Sequence, residues 1–415
     1  MKHWGRLLLC GALLLGSVPA AAPQTVSAAG GVSIILDGYP LPFPVEPVVM
    51  NGTTMVPFRA ISEALGITVK WNQSAKKITA VGDEESGSKQ VILTLGSKTA
   101  LVNGSAVKLA VAPQTVRGTT MIPLSFFSQQ FGAAVSWTQS AKTVAITSPK
   151  KKMYTLGFYA ISSYSEYALL PGFDDVAFGW SRIDKDGQFT TAGADFYLPQ
   201  AAGNVTPESI VQNAAADGKT PYLMVYSGDD KLELTKNLED KSLQDQTVGK
   251  IVDTAVQTGF KGIMLDLEGL GLTGDKAKAR TDYNAFVKNV SGKARAQGLK
   301  VGIALHPINS SFAGYDYKTL ASLADELVIM AYAYEDQKRP EPTDKVDEAI
   351  RLALKQTTKD KLVLGISLAS ENESSVNTKI GLAKRYDLKG IAIWRLGLIG
   401  QAAWSEMNKS VELGG

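Results

Sequence analysis

FKGIMLDLEGL, residues 260–270, sets a run of apolar and small residues in front of two carboxylates, Asp266 and Glu268. A short apolar run of this kind suits a strand buried on both faces. On a strand, residues i and i+2 point to the same side. Met264, Asp266 and Glu268 then share one face, and Ile263, Leu265 and Leu267 the other. Two acids side by side repel, which tends to raise the pKa of one of them. That is a costly arrangement if its only job is to hold a fold. The plain alternative is a strand end that reaches solvent, where Asp and Glu are ordinary.

On either side of this stretch, strand-like and helix-like segments alternate. Strand candidates are YTLGFYA (154–160), DDVAFGW (174–180), PYLMVYS (221–227), GIMLDLE (262–268), KVGIAL (300–305), ELVIMAY (326–332), KLVLGIS (361–367) and GIAIWRL (390–396). Amphipathic segments lie between most of them, for example SLQDQTVGKIVDTAVQTG (242–259) and DYNAFVKNVSGKARAQG (282–298). Continuous apolar strands alternating with helices imply a parallel sheet covered on both sides. Eight such units in about 250 residues are the count and size of a (β/α)8 TIM barrel, whose functional residues sit at the C-terminal ends of the strands. Asp266 and Glu268 end the fourth strand.

The same segments, in order, resemble those of the family 18 glycoside hydrolases. VAFGWSRIDKDGQF (176–189) is similar to the family's A-F-x-x-I-D-x-x-G segment, KGIMLDLE (261–268) to its D-G-x-D-x-D-x-E signature, and MAYAYE (330–335) to M-x-Y-D. KLVLGIS and the segment around Trp394 also match by type and position, so the resemblance spans about residues 154–400. It implies Glu268 as the acid that protonates the glycosidic oxygen and later acts as base towards water. It implies Asp266 as the group that holds and polarises the N–H of the sugar's 2-acetamido group, whose carbonyl attacks the anomeric carbon. Tyr332 is implied as the hydroxyl that meets the acetamide oxygen, Trp394 as the stacking floor for the sugar, and Met330, which opens its motif, as a further substrate contact. Lys261 and Met264 stand where the family has its first two aspartates, and Ala333 replaces the acid of M-x-Y-D. A site modified in this way is expected to be slower, and a non-catalytic glycan-binding protein is the alternative. Tyr159 and Trp180, at the ends of the first and second strands, are candidate sugar contacts, with core packing as their other reading. His306, after the fifth strand in ALHPIN, could reach the cleft, with a structural or surface role as the favoured reading, and Asp229 is a minor candidate.

The chain has 415 residues, 45% hydrophobic and 20% charged, with a formal charge of +3. This is globular material without the basic excess that nucleic acid or an anionic membrane calls for. Residues 1–28 read as a secretory signal peptide, with a basic start, an apolar run from Leu7 to Leu15 and a cleavage signal at Val26-Ser27-Ala28. Cys10, the only cysteine, and His3 fall inside it, so no metal centre, disulfide or cofactor is expected. The mature protein is then secreted or wall-associated, with no transmembrane segment.

Ahead of the barrel stands an internal repeat. GTTMVPFRAISEALGITVKWNQSAK (52–76) and GTTMIPLSFFSQQFGAAVSWTQSAK (118–142) align without a gap, and about half of the positions are identical. The hairpin signals Asp37-Gly38 and Asn103-Gly104 keep the same offset. Each unit reads as a strand pair, a short helix opened by a proline and closed near a glycine, and a second strand pair. The repeats, residues 32–148, resemble the stalk-type domain named after the N-terminal region of copper amine oxidases. The name implies no copper here, since neither copy contains His or Cys. Trp71 and Trp137 are expected to pack, and the module to serve as a spacer or cell-wall adhesive. Residues 149–153 are the expected linker, a solvated charge run, and 154–410 the barrel. The overall expectation is a smaller α+β module of two repeats followed by an α/β barrel that acts on N-acetylglucosamine linkages of peptidoglycan or chitin-like glycans.

Overall fold

A computed structural model describes residues 31–84, 87–335 and 337–413. The expected signal peptide, with Cys10 and His3, lies outside the described residues. Among the described residues no helix is long and apolar enough to cross a membrane.

From Tyr154 onward the chain closes a (β/α)8 barrel. Its strands are Tyr154–Tyr159, Asp175–Ile183, Pro221–Ser227, Gly262–Leu267, Lys300–Leu305, Glu326–Ile329, Leu362–Ser367 and Gly390–Trp394. Each pairs in parallel with the next, and the eighth returns to the first, with Leu156 opposite Ala392. Alternation along the strands sorts the side chains. Leu156, Phe158, Ala177, Tyr222, Met224, Met264, Val328 and Ala392 fill the lumen. Phe178, Leu223, Val225, Ile263, Leu265 and Ile303 pack under the helices. At the N-terminal end the lumen is closed by a polar network. The Tyr154 hydroxyl lies 3.1 Å from both Asp175 and Glu326, and Lys389 pairs with Glu326. With this end sealed by satisfied charges, the C-terminal end is where the lumen opens.

Helix ends follow local capping chemistry. The Asp240 side chain accepts from the N–H groups of Ser242 and Leu243 to start Lys241–Thr258, which ends on Gly259 at φ 89°. Asp275 does the same for Lys276–Ala296, which begins a turn and a half before the periodic segment read from the sequence. The sixth strand stops at Ile329, short of the expected Tyr332. Ala333 adopts a left-handed backbone, φ 60°, and the buried Glu341 carboxylate accepts from the N–H groups of Ala333 and Tyr334 at 2.9 and 3.2 Å. Met330 still donates to the Leu305 carbonyl at 2.9 Å, and beyond it the chain leaves the sheet, with Tyr332 against the lumen cluster.

The repeats interlock. The first strand of the first copy, Ser33–Leu36, runs parallel to the last strand of the second, Thr143–Thr147. The central hairpins of the two copies meet through Met55–Pro57 against Met121–Pro123. Strand Gly87–Thr94 is inserted between the copies in the third sheet. Trp71 and Trp137 each donate to a glutamine two residues on, at 2.7 and 2.8 Å. Trp71 packs on the repeat core, whereas Trp137 is 44% exposed, so the packing expectation holds for the first copy only.

From Val32 onward, repeats and barrel form one compact unit. Arg385, at the end of helix Val376–Arg385, donates to the carbonyls of Leu36, Tyr39 and Pro40 at 3.0–3.1 Å and lies over the Tyr39 ring. Lys151 pairs with Asp387, and its backbone bonds Ser410 and Glu412, while Met153 is buried. The segment expected as a solvated charge run keeps Lys150 and Lys152 exposed but is stitched to the barrel through the Lys151–Asp387 pair, the Lys150–Asn408 bond and the buried Met153.

Candidate active site

The fourth strand carries the two acids to the open end of the lumen. Asp266 is 3% exposed and lies in register with Tyr226 on the third strand and Ala304 on the fifth. Glu268 is the first residue beyond the strand, and its N–H donates to the Ser227 carbonyl at 2.7 Å. Burial, reinforced by the Glu268 charge, holds the Asp266 carboxyl well above the usual carboxylate range. Its Oδ1 is buried without a hydrogen-bond partner among the described residues. One turn of the pleat below, Met264 fills the lumen, and a Cβ at Gly302 would lie 2.5 Å from its Cε. The space where the resemblance implies a carboxylate is thus occupied by a thioether that offers Asp266 no proton.

Burial, with the Asp230 charge, pushes the Glu268 carboxyl up to about 7. Near neutral pH this group holds a proton part of the time, as a proton donor must. His306 stands 3.4 Å from Glu268 Oε2 through its Nε2, which also accepts the Gly269 N–H at 3.4 Å. Its ring stacks on Phe312, with centroids 3.9 Å apart, and burial pushes its pKa down to about 4. A neutral imidazole beside a protonated carboxyl can accept a hydrogen bond from it, and the two form no ion pair. Of the two readings of His306, the structure favours reach to the cleft, since its ring lies against Glu268.

Tyr332, Trp394 and Met330 belong to the apolar and aromatic cluster of the lumen. Burial together with the Asp266 and Glu268 charges raises the Tyr332 hydroxyl well above its ordinary value, so it is a neutral donor. Its ring rests over Gly365, where a Cβ would lie 3.1 Å from it. Trp394 meets Phe158 edge-on at 5.4 Å, and its peptide bond to Arg395 is cis.

Tyr159 and Trp180 do not join this group. Both are buried on the helix side of the sheet, their rings edge-on to each other at 6.0 Å, with Trp180 also against Phe178 and Phe260. Their strand parity points them away from the lumen, which corrects their reading as contacts for a sugar held over the acids. Asp229 accepts from the Thr235 N–H and hydroxyl at 2.8 and 2.7 Å, and so organises helix Glu233–Glu239 rather than facing the lumen.

Two aromatic residues were missed. Tyr226 shares its strand face with Met224, and period-two spacing from the third strand could have found it. Phe196 stacks on Tyr226 with centroids 4.2 Å apart, and it comes from an irregular loop that carries no periodic signal. Among the described residues no group of three or more His, Cys, Asp or Glu side chains could hold a metal ion.

Residues 35–146 match the protein family described as Copper amine oxidase N-terminal domain. The chain is 28% identical over 178 residues to a cortical fragment-lytic enzyme of Bacillus anthracis, covering 39% of this chain and 40% of that protein. It is 26% identical over 196 residues to a protein of the same description from Bacillus subtilis (strain 168), covering 43% and 44%. It thus spans less than half the length of these curated relatives. Among solved structures it is similar to the spore cortex-lytic enzyme SleL of Bacillus cereus, with TM-score 0.52 and 19% identity over 65% of this chain and 77% of the other. It is also similar to a chitinase from Chromobacterium violaceum ATCC 12472, with TM-score 0.51 and 19% identity over 62% and 98%. The chain carries a (β/α)8 barrel with the fold of the SleL and chitinase structures, behind a module that matches the copper amine oxidase N-terminal domain.

Proposed function

We propose that this chain is a secreted glycoside hydrolase that cleaves β-1,4 linkages at N-acetylglucosamine in peptidoglycan or related glycans, with retention of configuration. The observation that carries the reading is Glu268, raised to about 7 beside a neutral His306, with Asp266 next to it at the only open end of the lumen among the described residues. Glu268 gives its proton to the glycosidic oxygen as the bond to the anomeric carbon breaks. The substrate's own acetamido carbonyl forms the new bond to that carbon, which produces an oxazolinium-like intermediate. Asp266 accepts the acetamide N–H and stabilises the positive charge, while the Tyr332 hydroxyl donates to the acetamide oxygen. Water then attacks the anomeric carbon as its bond to the acetamido oxygen breaks, and surrenders a proton to the Glu268 carboxylate, which resets the acid. Trp394 supplies the face on which the sugar rests. The names of the similar proteins, cortical fragment-lytic enzymes and chitinases, support this substrate class. The repeats are proposed to hold the enzyme at the wall.

Release of soluble fragments from purified peptidoglycan, and cleavage of short N-acetylglucosamine oligomers, test the reading against Glu268→Gln. Equal activity in that variant would overturn it. A second reading, a glycan-binding protein without turnover, is favoured by Met264 and the unpartnered Asp266 Oδ1. Glycan binding without product, unchanged in Glu268→Gln, would select it.

A further inference from the structure

The eighth strand ends on Trp394, and the turn that follows it is held by a side chain distant in sequence. Residues 395–400 lead into helix Gly400–Ser410, which has no capping side chain of its own, since Ile399 stands at its N-cap. Ile399 is right-handed and Gly400 left-handed, with φ −67° and 69°. Successive residues of opposite hand bring their N–H groups into one concavity that suits an anion. The Glu166 carboxylate fills it. One of its oxygens accepts from the N–H groups of Gly397 and Ile399 at 2.6 and 3.1 Å, and the other from Gly400 at 2.7 Å. Hydrogen bonds to an ionised acceptor are among the stronger ones in a protein.

Glu166 belongs to the loop after the first strand, and further bonds join that loop to the turn after Trp394. The Arg395 guanidinium donates to the carbonyls of Ala160 and Ile161, and the Ser163 hydroxyl to that of Leu396 at 2.7 Å. Gly397 lies so near the Ser162 carbonyl that a Cβ would be 2.9 Å from it. On the side of the seventh strand, the Trp394 carbonyl accepts from the Leu368 N–H at 2.6 Å. The half-buried indole rests edge-on to Phe158 and 6.4 Å from the Phe196 ring. Its placement therefore depends on packing on one side and on the anchored turn on the other.

We propose that Glu166 is a positioning residue for the sugar floor: its carboxylate, seated on the N–H groups of Gly397, Ile399 and Gly400, fixes the backbone that carries Trp394 and so sets the affinity for the glycan. The proposal rests on the reading above, in which a sugar stacks on Trp394. A group that binds a ligand has to be held within about 0.5 Å of its working position. Without the carboxylate three N–H groups lose their acceptor together, and the turn has nothing to converge on. Glu166 acts through Trp394 and takes no part in proton transfer, so binding should suffer and the chemical step should not.

Equilibrium binding of an N-acetylglucosamine oligomer to the full chain, with Glu268→Gln present to prevent turnover, tests this. Glu166→Ala should weaken binding at least fivefold, and Trp394→Ala at least as much. The two together should be no worse than Trp394→Ala alone, because one residue acts through the other. Added acetate should restore at least half of the affinity lost in Glu166→Ala, by refilling the vacated N–H groups, and should leave Trp394→Ala unchanged. With Glu268 intact, Glu166→Ala should raise KM at least fivefold and keep kcat within twofold. Should that variant fail to fold, Glu166→Gln, which keeps one acceptor oxygen and loses the charge, should bind at least twofold more weakly, again with no further loss on top of Trp394→Ala. Losses that multiply, binding equal to wild type, or no response of folded Glu166→Ala to acetate overturn the proposal and leave the hydrolase reading intact. Trp394→Ala without effect overturns it together with the stacking role, as does a wild-type chain that binds no oligomer. Absence of product from wild type, with binding as expected, removes the hydrolase reading and upholds Glu166.

Discussion

Glu268→Gln keeps the shape of the side chain and removes its ionisation, so it separates what the acid does from what it costs. Burial and the Asp230 charge raise this carboxyl from 4.5 to about 7. Between those values the folded chain holds a proton that the unfolded chain has released. The stability this confers is complete below 4.5, declines as pH rises and is lost above about 7. At about 1.36 kcal/mol per pH unit the ceiling is about 3 kcal/mol. The side chain keeps 32% of its exposure, and solvent screening reduces the expected effect to about 1–2 kcal/mol. Glutamine has no charge to bury, so the variant should gain that amount over wild type between pH 5 and pH 8. Urea unfolding at the two pH values reads the difference, and hydrolysis measured in parallel should fall by about 10²–10⁴-fold. A stability difference that is the same at both pH values would refute the reasoning, for it would mean that Glu268 titrates as an open surface acid.

In wild type, kcat/KM should decline as pH rises through about 7, where the proposed acid loses its proton; a pH–rate profile flat from 6 to 8 would contradict the role. Glu341→Ala removes the carboxylate that clamps Ala333 and Tyr334, so kcat should drop by about tenfold with little change in KM, at a stability cost of about 1–3 kcal/mol; an unaltered kcat would show that Tyr332 holds its place unaided. Met264→Ala, in a lumen with no exposure, should cost about 2–5 kcal/mol, read by denaturant titration. Arg385→Ala uncouples three carbonyls of the first repeat from the barrel, so limited proteolysis should reach residues 32–148 sooner while barrel hydrolysis persists.

Much of the site was legible because its residues lie on strands. A period of two in GIMLDLE sets Met264, Asp266 and Glu268 on one side, and the lumen holds the first two of them. The same rule, applied to the first and second strands, would have turned Tyr159 and Trp180 outwards, since Phe158 and Ala177 are the residues that face the lumen. Phe196 escaped because it comes from an irregular loop, where no spacing predicts what a side chain meets, and for the same reason His306 could be placed near the cleft but not given a partner. His306 reaches Glu268 only through the fold of the loop after the fifth strand, with Phe312 stacked behind it.

The sequence by itself determined the barrel, the duplication and the identity of the acids, because alternation, repeat offset and residue type are local properties written along the chain. Only the tertiary structure decided what state those acids are in. Asp266 lies with one oxygen unpartnered above Met264, and Glu268 shares its neighbourhood with a neutral imidazole. It also decided that the last strand pair of the second repeat joins the first strand of the first, and that Arg385 ties the repeats to the barrel. Protonation and docking depend on burial and on partners distant in sequence, and those exist only once the chain has closed on itself.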